Sequence, residues 1–270
     1  MLGARTDRYG DFIDICAAIT GRAPEAGLHL TAARAATAVV DVRPLSDRIR
    51  RSSALFPVLG HLVGRETGGA VPVIVGLPEA TREDDLKALG AAAASSGSVA
   101  MFHAVGITPE APTLEAALQG SRPKITLEIS DEAMNAAARE LSTAAGPDID
   151  AVSVGTPHMS EAELWQLAEL LGDRHVDERV VFYASTGRDV LRQAKGAGER
   201  LEASGVRLVT DTCTYITPIL DPRARVVMTD SAKWAYYAPG NISVQVVFAS
   251  RAACVESAVA GKVVERDPWD

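Results

Sequence analysis

Short β-branched runs alternate along this chain with longer stretches whose apolar residues recur every three or four positions. These are the signatures of buried strands and of helices with one buried face. In the first half, strands are predicted over 35–42, 73–77, 99–105 and 125–129, the second of them placed just after Pro72 because proline cannot donate to a central ladder. Between them, helices are predicted over 52–63, over 79–94 with an acidic first turn, and over the short run 114–118. Another follows Ser130, which suits a cap, with Asp131 and Glu132 at its positive end. The second half repeats the rhythm with strands over 151–154, 180–183, 206–209 and 226–228. Ser160 and Glu163 form a capping box for a helix over 161–171, and helical stretches continue from 188 to 203. Ahead of all this, 12–20 reads as a short helix ended by Gly21.

Alternating strands and helices predict an α/β protein with mainly parallel sheets covered by helices on both faces. Such sheets bind ligands where loops leave the carboxyl ends of the strands, so the loops at 155–160, 210–215 and 229–233 are expected to open on one rim. Gly146-Pro147 is the natural seam, which predicts two α/β lobes, 1–146 and 147–270.

The net charge of −8, from 27 basic and 35 acidic residues, argues against a nucleic-acid partner, as does the lack of any basic run. No apolar stretch approaches the about 18 residues of a membrane span. The opening residues have no positively charged region leading into an apolar one, so they are not a secretory signal. They read as mid-domain sequence, which predicts that the N-terminus of a longer protein is missing. Three widely spaced cysteines, an odd count, speak against a disulfide framework and for a reducing cytoplasm.

Chemistry concentrates between 204 and 241, where two strands each run straight into small polar residues. The first loop carries Asp211-Thr212-Cys213-Thr214-Tyr215; the second carries Thr229-Asp230-Ser231-Ala232-Lys233, then Tyr236-Tyr237-Ala238-Pro239-Gly240. Cys213 reads either as a small buried turn residue or as a metal or cluster thiolate, whose deprotonated sulfur suits iron. One cysteine cannot hold a cluster, and Cys16 and Cys254, each on an apolar helical face, are expected to pack in the core. Ser231 and Lys233 stand where a helix would begin. They read either as a cap with a solvated lysine or as an anion pocket that combines helix N-terminus and ammonium. Arg5 and Arg8 either add to such a pocket or are solvated loop arginines. His158 fits a surface position near a helix start, or a ligand contact or proton relay. His29 and His61 are read as structural, and His103 fits both roles.

Several segments together resemble the large, catalytic part of aconitase X: Leu2-Gly-Ala-Arg-Thr-Asp-Arg-Tyr-Gly-Asp11, Gly27-Leu-His-Leu30, Gly155-Thr-Pro-His158, Asp211-Thr-Cys213, and Ser231-Ala-Lys233 leading to Tyr237-Ala-Pro-Gly240. Cys254-Val-Glu-Ser-Ala-Val-Ala-Gly261 fits that family's closing helix, so the resemblance runs through nearly the whole chain. It implies aconitase-like α/β/α lobes and an iron-sulfur-dependent hydro-lyase acting on cis-3-hydroxy-L-proline or mevalonate 5-phosphate. In that chemistry iron acts as a Lewis acid on the leaving hydroxyl while a base takes a proton from the neighbouring carbon. By the resemblance, Cys213 is a cluster ligand, Thr156 and His158 lie near the cluster, and Arg5, Thr6, Ser231, Lys233 and Tyr237 surround a small anionic hydroxy-acid substrate. Ser231 and Lys233 are the candidates for catalysis.

Two departures shape these expectations. The mevalonate phosphate enzymes carry cysteine where this chain has Thr156, which points to the hydroxyproline type and to a [2Fe-2S] cluster. The family's catalytic part also begins upstream, with a further cysteine motif and a serine-rich loop, and a small swivelling domain or subunit completes the site. The enzyme runner-up is the large subunit of mevalonate 5-phosphate dehydratase, and Thr156 is the feature against it. The runner-up from another class is a non-catalytic fragment that pairs with another chain.

Overall fold

A computed structural model describes residues 3–8, 10 and 12–269 of the chain. Its strands form two parallel sheets. The first contains β1 (Ala38–Asp41), β2 (Pro72–Val75), β3 (His103–Ala104) and β4 (Ile125–Glu128), in the order β3-β2-β1-β4. The second contains β5 (Ala151–Met159), β6 (Val181–Thr186), β7 (Val206–Thr210), β8 (Val226–Thr229) and β9 (Gln245–Phe248), in the order β7-β6-β5-β8-β9. Every pairing in both sheets is parallel, as the alternating pattern predicts.

The connections are helical: α1 (Ile13–Thr20), α2 (Asp47–Arg51), α3 (Leu55–Thr67), α4 (Glu83–Gly97), α5 (Leu114–Leu118) and α6 (Asp131–Glu140) come before β5. After it come α7 (Glu161–Leu171), α8 (Arg188–Gln193), α9 (Lys195–Ala203), α10 (Ala232–Ile242) and α11 (Arg251–Ala260). Ser130 caps α6 and Ser160 with Glu163 forms the capping box of α7, both as read from the sequence. Helices α3 and α4 touch closely because Gly60 has no side chain; a Cβ there would stand 2.2 Å from the Leu89 carbonyl oxygen.

The core lies in two large layers, with a small third cluster of Ala36, Val73, Ala111 and Ala117. One apolar cluster joins the sheets, bringing Val40, Leu59 and Leu89 of the first half together with Tyr183, Val227, Trp234 and Val246 of the second. The other covers the far face of the second sheet and includes Val152, Val154, Leu164, Phe182, Leu201 and Cys254. Residues alternate between the layers along β5: Ala151 belongs to the first, Val152 and Val154 to the second, as a strand's period of two requires.

Four features differ from expectation. The strand expected over 99–105 is reduced to His103–Ala104. Strand β9 and helix α2 have no counterpart among the elements predicted from sequence. The stretch from Tyr236 to Gly240 is helical, with Pro239 inside α10, because Trp234, Ala235 and Ala238 bury one face and outweigh the proline-glycine turn signal. Cys16 is exposed instead of packed, since α1 buries none of its residues and leaves Ile13, Ile15 and Ile19 open as well. Cys254 is fully buried, as expected.

Candidate functional site

From β5 the second sheet winds out through β6 to β7, then restarts on β5's other side with β8 and β9. A crevice opens at such a reversal of strand order, outside the carboxyl ends of the two flanking strands. Gly155-Thr156-Pro157-His158, expected as a loop, instead form the irregular end of β5, where its register on β6 shifts between Val154 and Met159, and the segment leaving β8 carries Asp230-Ser231-Ala232-Lys233. Gly155 is obligatory at this point: its φ is +86°, and a Cβ would lie 2.2 Å from the Ser185 carbonyl oxygen of β6.

The two segments are tied together. The Ser231 hydroxyl donates to the Thr156 carbonyl and accepts from the Trp234 N–H at 3.0 Å, so Ser231 is the N-cap of α10. Its one donor hydrogen and one of its two lone pairs are thereby engaged, which leaves a single lone pair to accept a further hydrogen bond. Two groups facing the crevice lack protein partners. Lys233 forms no side-chain ion pair or hydrogen bond among the described residues, and the buried Thr156 Oγ1 has none either. Lys233 and Thr156 line one cleft with Gly155, Pro157 and Ser231.

A chain of charges walls this cleft. Lys87 of α4 donates to Asp84 and Glu163, each at 2.7 Å, and to the His158 carbonyl at 3.0 Å. Arg251 continues from Glu163 at 2.9 Å to Asp230 at 2.7 Å. Burial opposes the charge on Lys87, yet Glu163 and Asp84 outweigh it and raise its pKa above the usual lysine value. The wall thus reaches from the first sheet's α4 to Asp230, one residue from the Ser231 cap. Sequence reading missed it, apart from Glu163 in its capping role. Its one legible signal is that Asp84, Glu163 and Arg251 all stand in first turns of helices.

The Cys213 loop leaves β7 and comes back toward β5. The Thr214 hydroxyl meets the Ser153 hydroxyl of β5 at 2.7 Å, and His158 Nε2 donates to the Thr212 carbonyl at 3.0 Å. Cys213 itself is partly buried. Beside it, Tyr215 stacks on Tyr237 with ring centroids 5.7 Å apart, and Tyr236 meets Tyr237 edge-on at 5.3 Å. Burial, helped by the nearby Cys213 and Tyr237, pushes the Tyr215 hydroxyl up to about 12. The structure therefore gathers Thr156, His158, Cys213, Ser231, Lys233 and Tyr237 at one end of the second sheet. Arg5 and Thr6 are elsewhere and exposed: Thr6 lines a pocket with Arg34, Phe102, His103 and Glu110, and Arg5 donates to the His29 carbonyl at 3.2 Å. Leu2, Tyr9 and Asp11 of the opening motif lie outside the described residues. Cys213 is the one cysteine at this rim, and no group of three or more His, Cys, Asp or Glu among the described residues can hold a metal ion. The residues present therefore do not by themselves make up the ligand set of an iron-sulfur cluster.

Three family models match successive stretches of this chain: the aconitase X first domain at residues 1–32, the second at 28–139 and the third at 149–260. The chain belongs to the aconitase X family. Its structure matches the crystal structure of Thermococcus kodakaraensis aconitase X (holo-form) with a TM-score of 0.81 and 31% identity, over 96% of this chain and 64% of that one. In sequence it is 46% identical to a cis-3-hydroxy-L-proline dehydratase of Pseudomonas aeruginosa, over 97% of this chain and 46% of the relative. A protein of the same description from Hypocrea jecorina is 39% identical, over 97% of this chain and 45% of its own length. The phosphomevalonate dehydratase large subunit of Methanothermobacter thermautotrophicus is 38% identical, over 92% of this chain and 59% of its own. The chain thus spans about half the length of the first two relatives. The aconitase X fold inferred from sequence is the fold found, and no helix among the described residues is long and apolar enough to cross a membrane.

Proposed function

We propose that this chain is part of an aconitase X hydro-lyase acting on cis-3-hydroxy-L-proline, and that the cleft between β5 and β8 receives the substrate's carboxylate. The observation that carries this reading is the pair of unmet groups there, the Lys233 ammonium and the Thr156 hydroxyl, beside the N-terminus of α10. A carboxylate satisfies the ammonium and the helix end together. Thr156 offers a hydrogen bond that orients the ring. Ser231 fixes the floor of the cleft through the Thr156 carbonyl, and the Tyr215–Tyr237 stack shields the thiol side from water. The identities of 46% and 39% to hydroxyproline dehydratases, against 38% to the phosphomevalonate type, support the substrate.

Cys213 is proposed as one thiolate of a [2Fe-2S] cluster whose other ligands come from outside this chain. Such a cluster supplies a Lewis acid for the leaving hydroxyl when bound. A small domain or subunit of the same family is the proposed partner, and the cytoplasm the proposed compartment. The test is turnover by this chain supplied with an aconitase X first domain and reconstituted anaerobically with iron and sulfide. Water loss from cis-3-hydroxy-L-proline, and not from mevalonate 5-phosphate, is expected. The opposite preference would overturn the substrate assignment. Turnover of neither, with cluster absorbance present, would leave a non-catalytic pairing role.

A further inference from the structure

A closed circuit of buried hydrogen bonds lies beneath the cleft. It starts at the Thr156 carbonyl on β5, which accepts from the Ser231 hydroxyl. That hydroxyl accepts from the Trp234 backbone N–H, and the Trp234 indole Nε1–H donates to the Thr214 hydroxyl at 2.8 Å. Thr214 closes the circuit on the Ser153 hydroxyl, three residues before Thr156 on the same strand. Ser153 and Thr214 are each 1% exposed and Trp234 is 0% exposed. In a dry layer these bonds have no water to replace them, so loss of one partner leaves the others unsatisfied.

We propose that Thr214 is a positioning residue, which fastens the Cys213 loop to the start of α10 and so holds the thiol in register with Ser231 and Lys233. Thr212 and Thr214 flank Cys213 and are anchored separately, the first through its carbonyl to His158 and the second to Ser153 and Trp234. Neither flank alone fixes a side chain between them, whereas the two together leave Cys213 little freedom. A supporting shell of this kind keeps a functional group within the tolerance its chemistry requires. The inference rests on the placement of Cys213 in the candidate site. It is tested without any cluster, so its failure is separate from a failure of cluster assembly.

The experiment is thiol labelling of this chain with iodoacetamide, each site followed by mass spectrometry, in a Cys16→Ser background that removes the exposed thiol. Cys213 then reports the loop, and the fully buried Cys254 reports opening of the fold as a whole. Thr214→Val removes the hydroxyl at nearly constant shape and should speed labelling of Cys213 about tenfold, with Cys254 unchanged. Thr214→Ser should restore the original rate. Ser153→Ala, which removes only the other hydroxyl of the pair, should give a smaller acceleration with the same selectivity, and it decides the matter if Thr214→Val does not fold. An unchanged or slower rate at Cys213, a parallel rise at both cysteines, or no rescue by serine would overturn the proposal.

Discussion

The two sheets each reverse their strand order once, and the two reversal points have opposite fates. In the first sheet the reversal falls between β1 and β4, where the protein fills its own crevice. Asp131, just after β4, accepts the Ser46 N–H of the segment after β1 at 2.9 Å and so closes the gap between the two strand ends. Leu45 and Ile49 are buried there. In the second sheet the reversal between β5 and β8 keeps an ammonium and a buried hydroxyl without partners among the described residues. The same topology offers a site in both places. Polar groups left unmet, not strand order, single out the one fitted for a ligand.

The largest effect should come from the wall of the open crevice. Glu163 separates Lys87 from Arg251, and Glu163→Ala leaves two half-buried cations facing each other, with one carboxylate apiece, Asp84 for Lys87 and Asp230 for Arg251. A loss of about 3 kcal/mol in chemical denaturation is expected, because removal of one partner strands buried charge. A loss below about 1 kcal/mol would mean that the wall is solvated and the contrast between wall and floor is false.

Lys233→Met tests the floor. An unpaired side chain stabilises little, so the denaturation midpoint should move by no more than about 0.5 kcal/mol. Affinity for a simple carboxylate or inorganic phosphate, read by calorimetry, should fall about tenfold, the scale of one charged hydrogen bond. Unaltered affinity would remove the distinction between the two reversal points. Asp131→Ala at the closed point should do the reverse, costing about 1 kcal/mol through the lost acceptor and leaving anion affinity untouched.

Much of this was legible in sequence because it depends on local patterns. The Ser160–Glu163 box, the Ser130 cap and the strand runs over 206–209 and 226–228 act through neighbours in the chain, and each lies where it was read. The charged wall was not legible. Lys87 meets Glu163 across 76 residues and Arg251 meets it across 88, and no spacing rule reaches that far. Thr214 was likewise visible only as one hydroxyl among several; its pairing with Ser153 and Trp234 depends on the loop's return to β5. Cys16 misled because an apolar helical face implies a covering surface without specifying it, and none of the described residues covers α1.

The smallest expected effect lies in the layer shared by both sheets, and it is one of pH. His61 of α3 is buried, its Nδ1 has no partner among the described residues, and its ring lies 6.1 Å from that of Tyr236 on α10. Burial lowers its pKa; the hydrogen bond to Glu140 at 3.4 Å works in the other direction without prevailing, and Arg65 adds to the lowering. In the unfolded chain the same imidazole titrates near its ordinary value of about 6.5. Above that pH both states are neutral and the histidine makes its full contribution to stability. As pH falls below it, the unfolded chain takes up a proton that the folded one refuses, so stability declines until the lowered folded pKa is passed. A denaturation series between pH 7 and 5.5 should show that slope, and His61→Phe should flatten it. A slope that survives the substitution would assign the proton to another group.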